Sequence, residues 1–180
     1  LLLIHLEHNP VLSKLPEIKE RFWDCVLIDG FINNNDRNSG NWGVLIDRDE
    51  TLKLAPVYDN GAAFSNKLSD QQIQAILNDP VRLKQSAIMN ISSGYLDNGK
   101  SIYFEKLIKQ DYPDVKASII RVVPKMKGKM EAIRSFILDI PTEYSKIAVM
   151  SSERKEFYIK GLEYRLNEIL IPALEACLHK

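Results

Sequence analysis

A polar loop joined to a short apolar repeat constrains this chain more than any other feature. Residues 33–43 read NNNDRNSGNWG, and the apolar runs NWGVLID and TLKLAPVYD follow with only RDE between them. Asp47 to Glu50 supply turn chemistry, so the spacing predicts a β-hairpin. Antiparallel strands return the chain to the level at which it left. Asn41 stands just before the first strand and Asp59, in YDNG, just after the second. Asp36, Asn41 and Asp59 are therefore expected to converge.

Such a trio has a definite chemical use. Phosphoryl transfer needs a carboxylate to orient the attacking hydroxyl, and an Asn with a second carboxylate to hold Mg²⁺ against ATP phosphates. Hard oxygen donors without thiolate or imidazole suit Mg²⁺ rather than Zn²⁺. The competing readings are local: Asp36 and its Asn neighbours as Asx-turn residues, and Asp59 as a turn residue in D-N-G. Arg37 is open to two roles, phosphate binding or a structural salt bridge to a carboxylate such as Asp29. Asp29 itself reads as a brace for the loop or as an ordinary helix-end carboxylate.

Around this loop the pattern is helical. LPEIKERFWDCVLIDGFINN has Pro16 at a first turn and Ile18, Phe22, Val26, Ile28 and Phe31 at near-helical spacing, predicting a helix that grows more buried toward the loop. Residues 60–100 read as irregular apart from a short helix around DQQIQAIL. Three helical stretches follow: IYFEKLIKQ, a segment from Val115 with a break expected at Pro124, and a last one capped by Ser151 or Ser152. The expected fold class is mainly α with a small β-hairpin, as one domain over residues 1–180.

Composition limits the function classes. The 180 residues include 24 Lys plus Arg and 24 Asp plus Glu, so the net charge of zero gives no global pull toward nucleic acid or anionic membrane. No apolar run reaches the roughly 18 residues a membrane span needs, and LLLIHLEHNP lacks the charge and length of a signal peptide. Cys25 and Cys177 show no disulfide or metal spacing, which sets a reducing cytoplasm as the default. His5 and His8 form H-x-x-H without a third ligand nearby, a weak zinc signal. A chain opening on Leu and entering LLLIHL in mid-pattern reads as a piece cut from a longer protein.

The two blocks, NNNDRNSGNWGVLID and LAPVYDNGAAF, together resemble the catalytic core of the HipA-like serine/threonine kinases, with a more distant likeness to phosphatidylinositol 3- and 4-kinases. The family pattern is roughly N-x-D-R-H-x-x-N-x-G, a short hairpin, then L-A-P-x-Y-D-x-G, and the likeness is dense over residues 24–64. The resemblance implies a protein-kinase-like C-terminal lobe: catalytic core at 16–64, activation-segment-like region at 65–100, helical bundle at 101–180. Asp36 matches the catalytic Asp, Asn41 the metal-binding Asn, and Asp59 the Asp with the role of the DFG aspartate. ATP and Mg²⁺ are the implied cofactors. The implied partners are a protein substrate, an N-terminal lobe from the same parent chain or a separate one, and an antitoxin.

Two departures qualify the match. Asn38 stands where the family has His, so hydrogen bonding survives but acid–base help does not. About 15 residues precede the first helix, too few for a β-rich N-lobe with a phosphate-covering loop. The alternative expectation is an inactive kinase-like module that docks a protein partner; a lipid-kinase relative ranks third, for want of a basic stripe to read lipid headgroups. Trp42 reads as a hairpin anchor rather than a nucleotide platform. Ser92 and Ser93, in the activation-loop position, are phosphorylation candidates. KMKGKM at 125–130 reads as a solvated helix face.

Overall fold

A computed structural model describes residues 7–97 and 99–179. The H-x-x-H pair is split by that boundary: His5 lies outside the described residues and His8 is exposed within them. Among the described residues no group of His, Cys, Asp and Glu is arranged to hold a metal.

The first helix, α1 (Ile18–Ile32), carries the chain to the Asn-rich loop. Phe22, Trp23, Cys25, Val26, Leu27 and Phe31 are all buried, and they point around most of its circumference. A helix buried on nearly every side lies inside the fold and needs no amphipathic stripe. Its neighbour is α5 (Pro113–Asp139), whose Val115, Ile119, Val122 and Val123 share the main hydrophobic cluster with α1. The C-terminal helices α6 (Ser152–Arg165) and α7 (Ile171–Leu178), joined by a π-turn at Leu166–Leu170, complete that cluster through Leu162, Leu166 and Leu170. A second, smaller cluster joins α2 (Asp70–Leu77) and α3 (Pro80–Ile88) to Phe157 of α6 through Ile73, Ile76 and Leu83.

The predicted hairpin is present. Strand β1 (Val44–Ile46) pairs antiparallel with β2 (Leu52–Leu54), with Val44 opposite Leu54 and Ile46 opposite Leu52. Two further two-stranded antiparallel pairs were not expected: β3 (Ser92–Asp97) with β4 (Lys100–Tyr103), and β5 (Glu143–Tyr144) with β6 (Ile147–Ala148). The first is hidden in sequence by its Ser-Ser-Gly start and by a register shift between Ser92 and Tyr95 that breaks the alternation. The second is a two-residue turn in which Ser145 and Lys146 both take positive φ, without the glycine that marks such turns.

Other expectations need correction. Helix α3 falls in NDPVRLKQSAIMNISSGYLDNGKS, whose Asn, Ser and Gly content predicts irregular structure. Its opening NDP is in fact a helix start: the Asp79 carboxylate accepts from the amides of Val81 and Arg82, both at 3.0 Å, and Pro80 sits at the first position. The stretch IYFEKLIKQ opens as strand β4, and only α4 (Phe104–Leu107) is helical. The break expected at Pro124 does not occur, and α5 runs 27 residues through it. Pro124 and Ile120, the residue four positions before it whose carbonyl loses a partner, are both exposed.

One close approach fixes α1 against α4. A Cβ built on Gly30 would meet the Phe104 ring at 2.3 Å, and Phe104 is fully buried. Gly30→Ala gains helix propensity but forces that ring aside. A net destabilisation of about 1–3 kcal/mol is expected, read as a lower urea midpoint with unchanged slope.

Candidate active site

The site lies where α1 ends. Asn33 closes the helix in the left-handed region at φ 53°, a conformation Asn tolerates better than most residues, and its amide donates to the carbonyls of Asp29 and Gly30. Its side chain donates to Ser65 Oγ at 3.0 Å, tying the helix end to the segment after the hairpin. From the far side of the fold, Arg165 Nε of α6 donates to the Phe31 carbonyl at 2.5 Å. Helix carbonyls left without intrahelical partners are thus held in place.

Under the loop lies a buried charged brace. Arg37 and Asp29 are each 5% exposed and meet through two bonds, Nε to Oδ2 at 2.8 Å and Nη2 to Oδ1 at 2.9 Å. Arg37 also donates to the Tyr58 carbonyl at 2.7 Å and to the Asn60 side chain. Asn34, 2% exposed, donates to Asp29 Oδ1 at 2.9 Å and accepts from the Asp36 amide at 3.4 Å. The structural role of Arg37 therefore prevails over phosphate binding: its guanidinium is buried and spans both ends of the site. Asp29 is the brace and not a mere helix-end carboxylate.

On this base Asn41 and Asp59 meet through their side chains, and Asp36 joins them through its backbone carbonyl. Asn41 Nδ2 donates to Asp59 Oδ2 at 2.8 Å and, more weakly, to the Asp36 carbonyl at 3.4 Å. Asn41 is 6% exposed, whereas Asp36 and Asp59 are exposed. Asn41 and Asp59 thus bring a carboxamide and a carboxylate within hydrogen-bond distance of each other, and both belong to the hard-oxygen donor class that suits Mg²⁺. Asp59 stands at φ 59°, so the second strand leaves the hairpin through a left-handed residue that turns the carboxylate back toward Asn41.

The remaining loop residues have local duties. Asn38 accepts from the Gly40 amide at 2.8 Å and donates to the Asp36 carbonyl at 3.0 Å, an Asx-type turn that shapes the loop. Tyr58 Oη donates to the Gly40 carbonyl at 3.0 Å, clamping the loop to the outgoing strand. Trp42 is half-buried against Phe22, with ring centroids 5.9 Å apart, as a hairpin anchor should be. Ser93 is buried and its hydroxyl donates to the Ile102 carbonyl, so it is not displayed to a modifying enzyme; Ser92 is half-buried in the same strand.

Sequence reasoning missed Asn34, Asn60, Tyr58 and Arg165 as parts of this frame. Asn34 and Asn60 were masked by the abundance of Asn around them, and Arg165 by lying in an ordinary amphipathic pattern. Cys25 lines a small recess behind Asn41 and Trp42, and burial pushes its thiol up to about 11. A thiol-specific reagent is accordingly expected to label Cys177 in the native protein and Cys25 only after unfolding. Rapid labelling of both would contradict the packing of α1.

No family model matches the sequence. The chain is 29% identical to the serine/threonine-protein kinase CtkA of Helicobacter pylori over 153 residues, which span 83% of this chain and 44% of that protein. The crystal structure of the H. pylori proinflammatory kinase CtkA superposes with a TM-score of 0.80 at 27% identity, covering 90% of this chain and 57% of that one. The chain is homologous to a serine/threonine kinase. It spans about half the length of that relative, and its helices and strand pairs make a kinase-like fold. Among the described residues no helix is long and apolar enough to cross a membrane.

Proposed function

We propose that this chain is the C-terminal catalytic lobe of a HipA-like serine/threonine protein kinase, over residues 1–180 as one domain. Asp36 orients the substrate hydroxyl and accepts its proton, while Asn41 and Asp59 hold Mg²⁺ against the ATP phosphates. When bound, the metal neutralises charge on the transferring phosphoryl group; this chain's residues position it and the attacking oxygen. The observation that carries the reading is the double role of Asn41 Nδ2, bonded to the Asp59 carboxylate and to the Asp36 backbone. That link fixes the two carboxylate-bearing residues relative to one another before any ligand arrives.

The remaining elements of the reading follow from the resemblance, a β-rich N-lobe from a parent or separate chain, a protein substrate and an antitoxin partner, and from the cysteine usage, a cytoplasmic setting. Asn38, already committed to the loop backbone, acts by positioning alone. Mg-ATP is expected to bind the isolated chain more weakly than micromolar, because the phosphate-covering half of the cradle comes from the N-lobe. Calorimetry giving micromolar affinity for this chain by itself would contradict that division of labour.

A second reading is a kinase-like module that docks a protein partner without turnover. It is favoured by the exposed apolar side chains near the end of α5 and the β5–β6 hairpin, with Phe136 and Tyr144 each 70% exposed and Ile147 68%. Transfer of γ-phosphate to protein by the assembly with both lobes separates the two readings.

A further inference from the structure

Arg165 is 4% exposed, yet among the described residues no carboxylate pairs with it. Its two hydrogen bonds go to backbone carbonyls, Phe31 at 2.5 Å and Ala87 at 3.3 Å, at the C-terminal ends of α1 and α3. Of the five N–H groups a guanidinium carries, three are left without a partner among the described residues. Burial pushes its pKa down to about 10, which still leaves it charged at neutral pH. Buried charges are ordinarily paired, and removal of a charge from water without an anion is costly.

The uncommitted side of this cation opens on a cleft shared with Phe64, Ser65, Ser86 and Tyr158. The recess is shallow: counted out to open solvent it spans about 240 Å³, of which the enclosed part holds about one water-sized group. None of the lining residues is acidic. Gly161 keeps the guanidinium accessible, since a Cβ there would stand 3.2 Å from both Nη atoms. The Ser86 hydroxyl is committed to the Leu83 carbonyl at 2.8 Å. Ser65 Oγ accepts from Asn33 and keeps its own proton, and Phe64 and Ser65 both hold positive φ in a bend over the cleft.

From this arrangement we propose that the Arg165 cleft is a binding site for a phosphate group, supplied either as free phosphate or as phosphate on Ser65. A tetrahedral anion at the mouth directs one oxygen to the guanidinium at the floor, and a second lies within reach of the Asn33 amide. Filling from Ser65 takes one phosphoryl transfer from a nucleoside triphosphate. Ser65 Oγ bonds to the γ-phosphorus, the bond from that phosphorus to the leaving diphosphate breaks, and the hydroxyl proton passes to solvent. Either source ties the segment following Asp59 to α6. The site does not depend on the chain being a kinase, because binding is measured without turnover.

Two measurements on the full chain test it. Thermal unfolding in inorganic phosphate, against sodium chloride at matched ionic strength, is expected to rise by ~2 °C or more at millimolar phosphate if free anion fills the cleft. With phosphoserine placed at position 65, ³¹P NMR is expected to show a second pKa about one unit below the ordinary value near 6 if the tethered anion fills it. Arg165→Lys should diminish whichever response is seen; should that variant not fold, the phosphorus titration stands without it. No phosphate-specific rise together with an unshifted phosphoserine pKa overturns the proposal.

Discussion

Asp36→Asn is expected to lower phosphoryl transfer by about 10²–10⁴-fold in the assembly that carries both kinase lobes, the range typical of losing a positioned general base. Its melting temperature should not change, because Asp36 is exposed and the loop is held through its backbone: its amide bonds Asn34 and its carbonyl accepts from Asn38 and Asn41. Surface substitutions of that kind cost within about 0.5 kcal/mol. The carboxamide keeps the shape of the side chain and removes the proton acceptor. A rate equal to wild type would take Asp36 out of the chemistry.

Asp29→Ala is expected to do the reverse, with its first effect on the fold of the site. It leaves the Arg37 guanidinium buried without its anion and strips Asn34 of its acceptor. Breaking a buried pair from one side costs about 3–5 kcal/mol, a large part of the 5–15 kcal/mol that holds a typical domain. Chemical denaturation should show a matching fall in midpoint. The double substitution Asp29→Leu with Arg37→Met should recover much of the loss, since no unpaired charge is then left inside. If the single and double variants are equally unstable, the brace is not the source of the effect.

The parts of the fold legible in the sequence are those where local and tertiary signals agree. Helix α1 and the β1–β2 hairpin were readable because apolar spacing, turn residues and polar boundaries all coincide between Pro16 and Asp59. The approach of Asn41 to Asp59 follows from the hairpin, whose antiparallel strands bring its two ends together. What was not legible depends on ambiguity of single residues. Asp79-Pro80 serves turns and helix starts equally, and only the amides of Val81 and Arg82 decide between them. Pro124 reads as a breaker in sequence, yet it lies on an exposed face of α5 and the helix runs through it. Arg37 and Asp29 are eight residues apart, and only the fold of the loop back onto α1 brings them together. The reach of Arg165 to Phe31 spans 134 residues, with no local signal at all.

In the proposed kinase, Asn41 and Asp59 hold the metal that accompanies ATP. Manganese tests this most directly, since Mn²⁺ takes the same oxygen ligands and broadens nearby NMR signals. With Mn²⁺ and ATP added to ¹⁵N-labelled protein, the Asn41 side-chain amide should broaden first and most, and Asp59→Ala should abolish that broadening. Strong broadening elsewhere with the Asn41 signal spared would contradict the account.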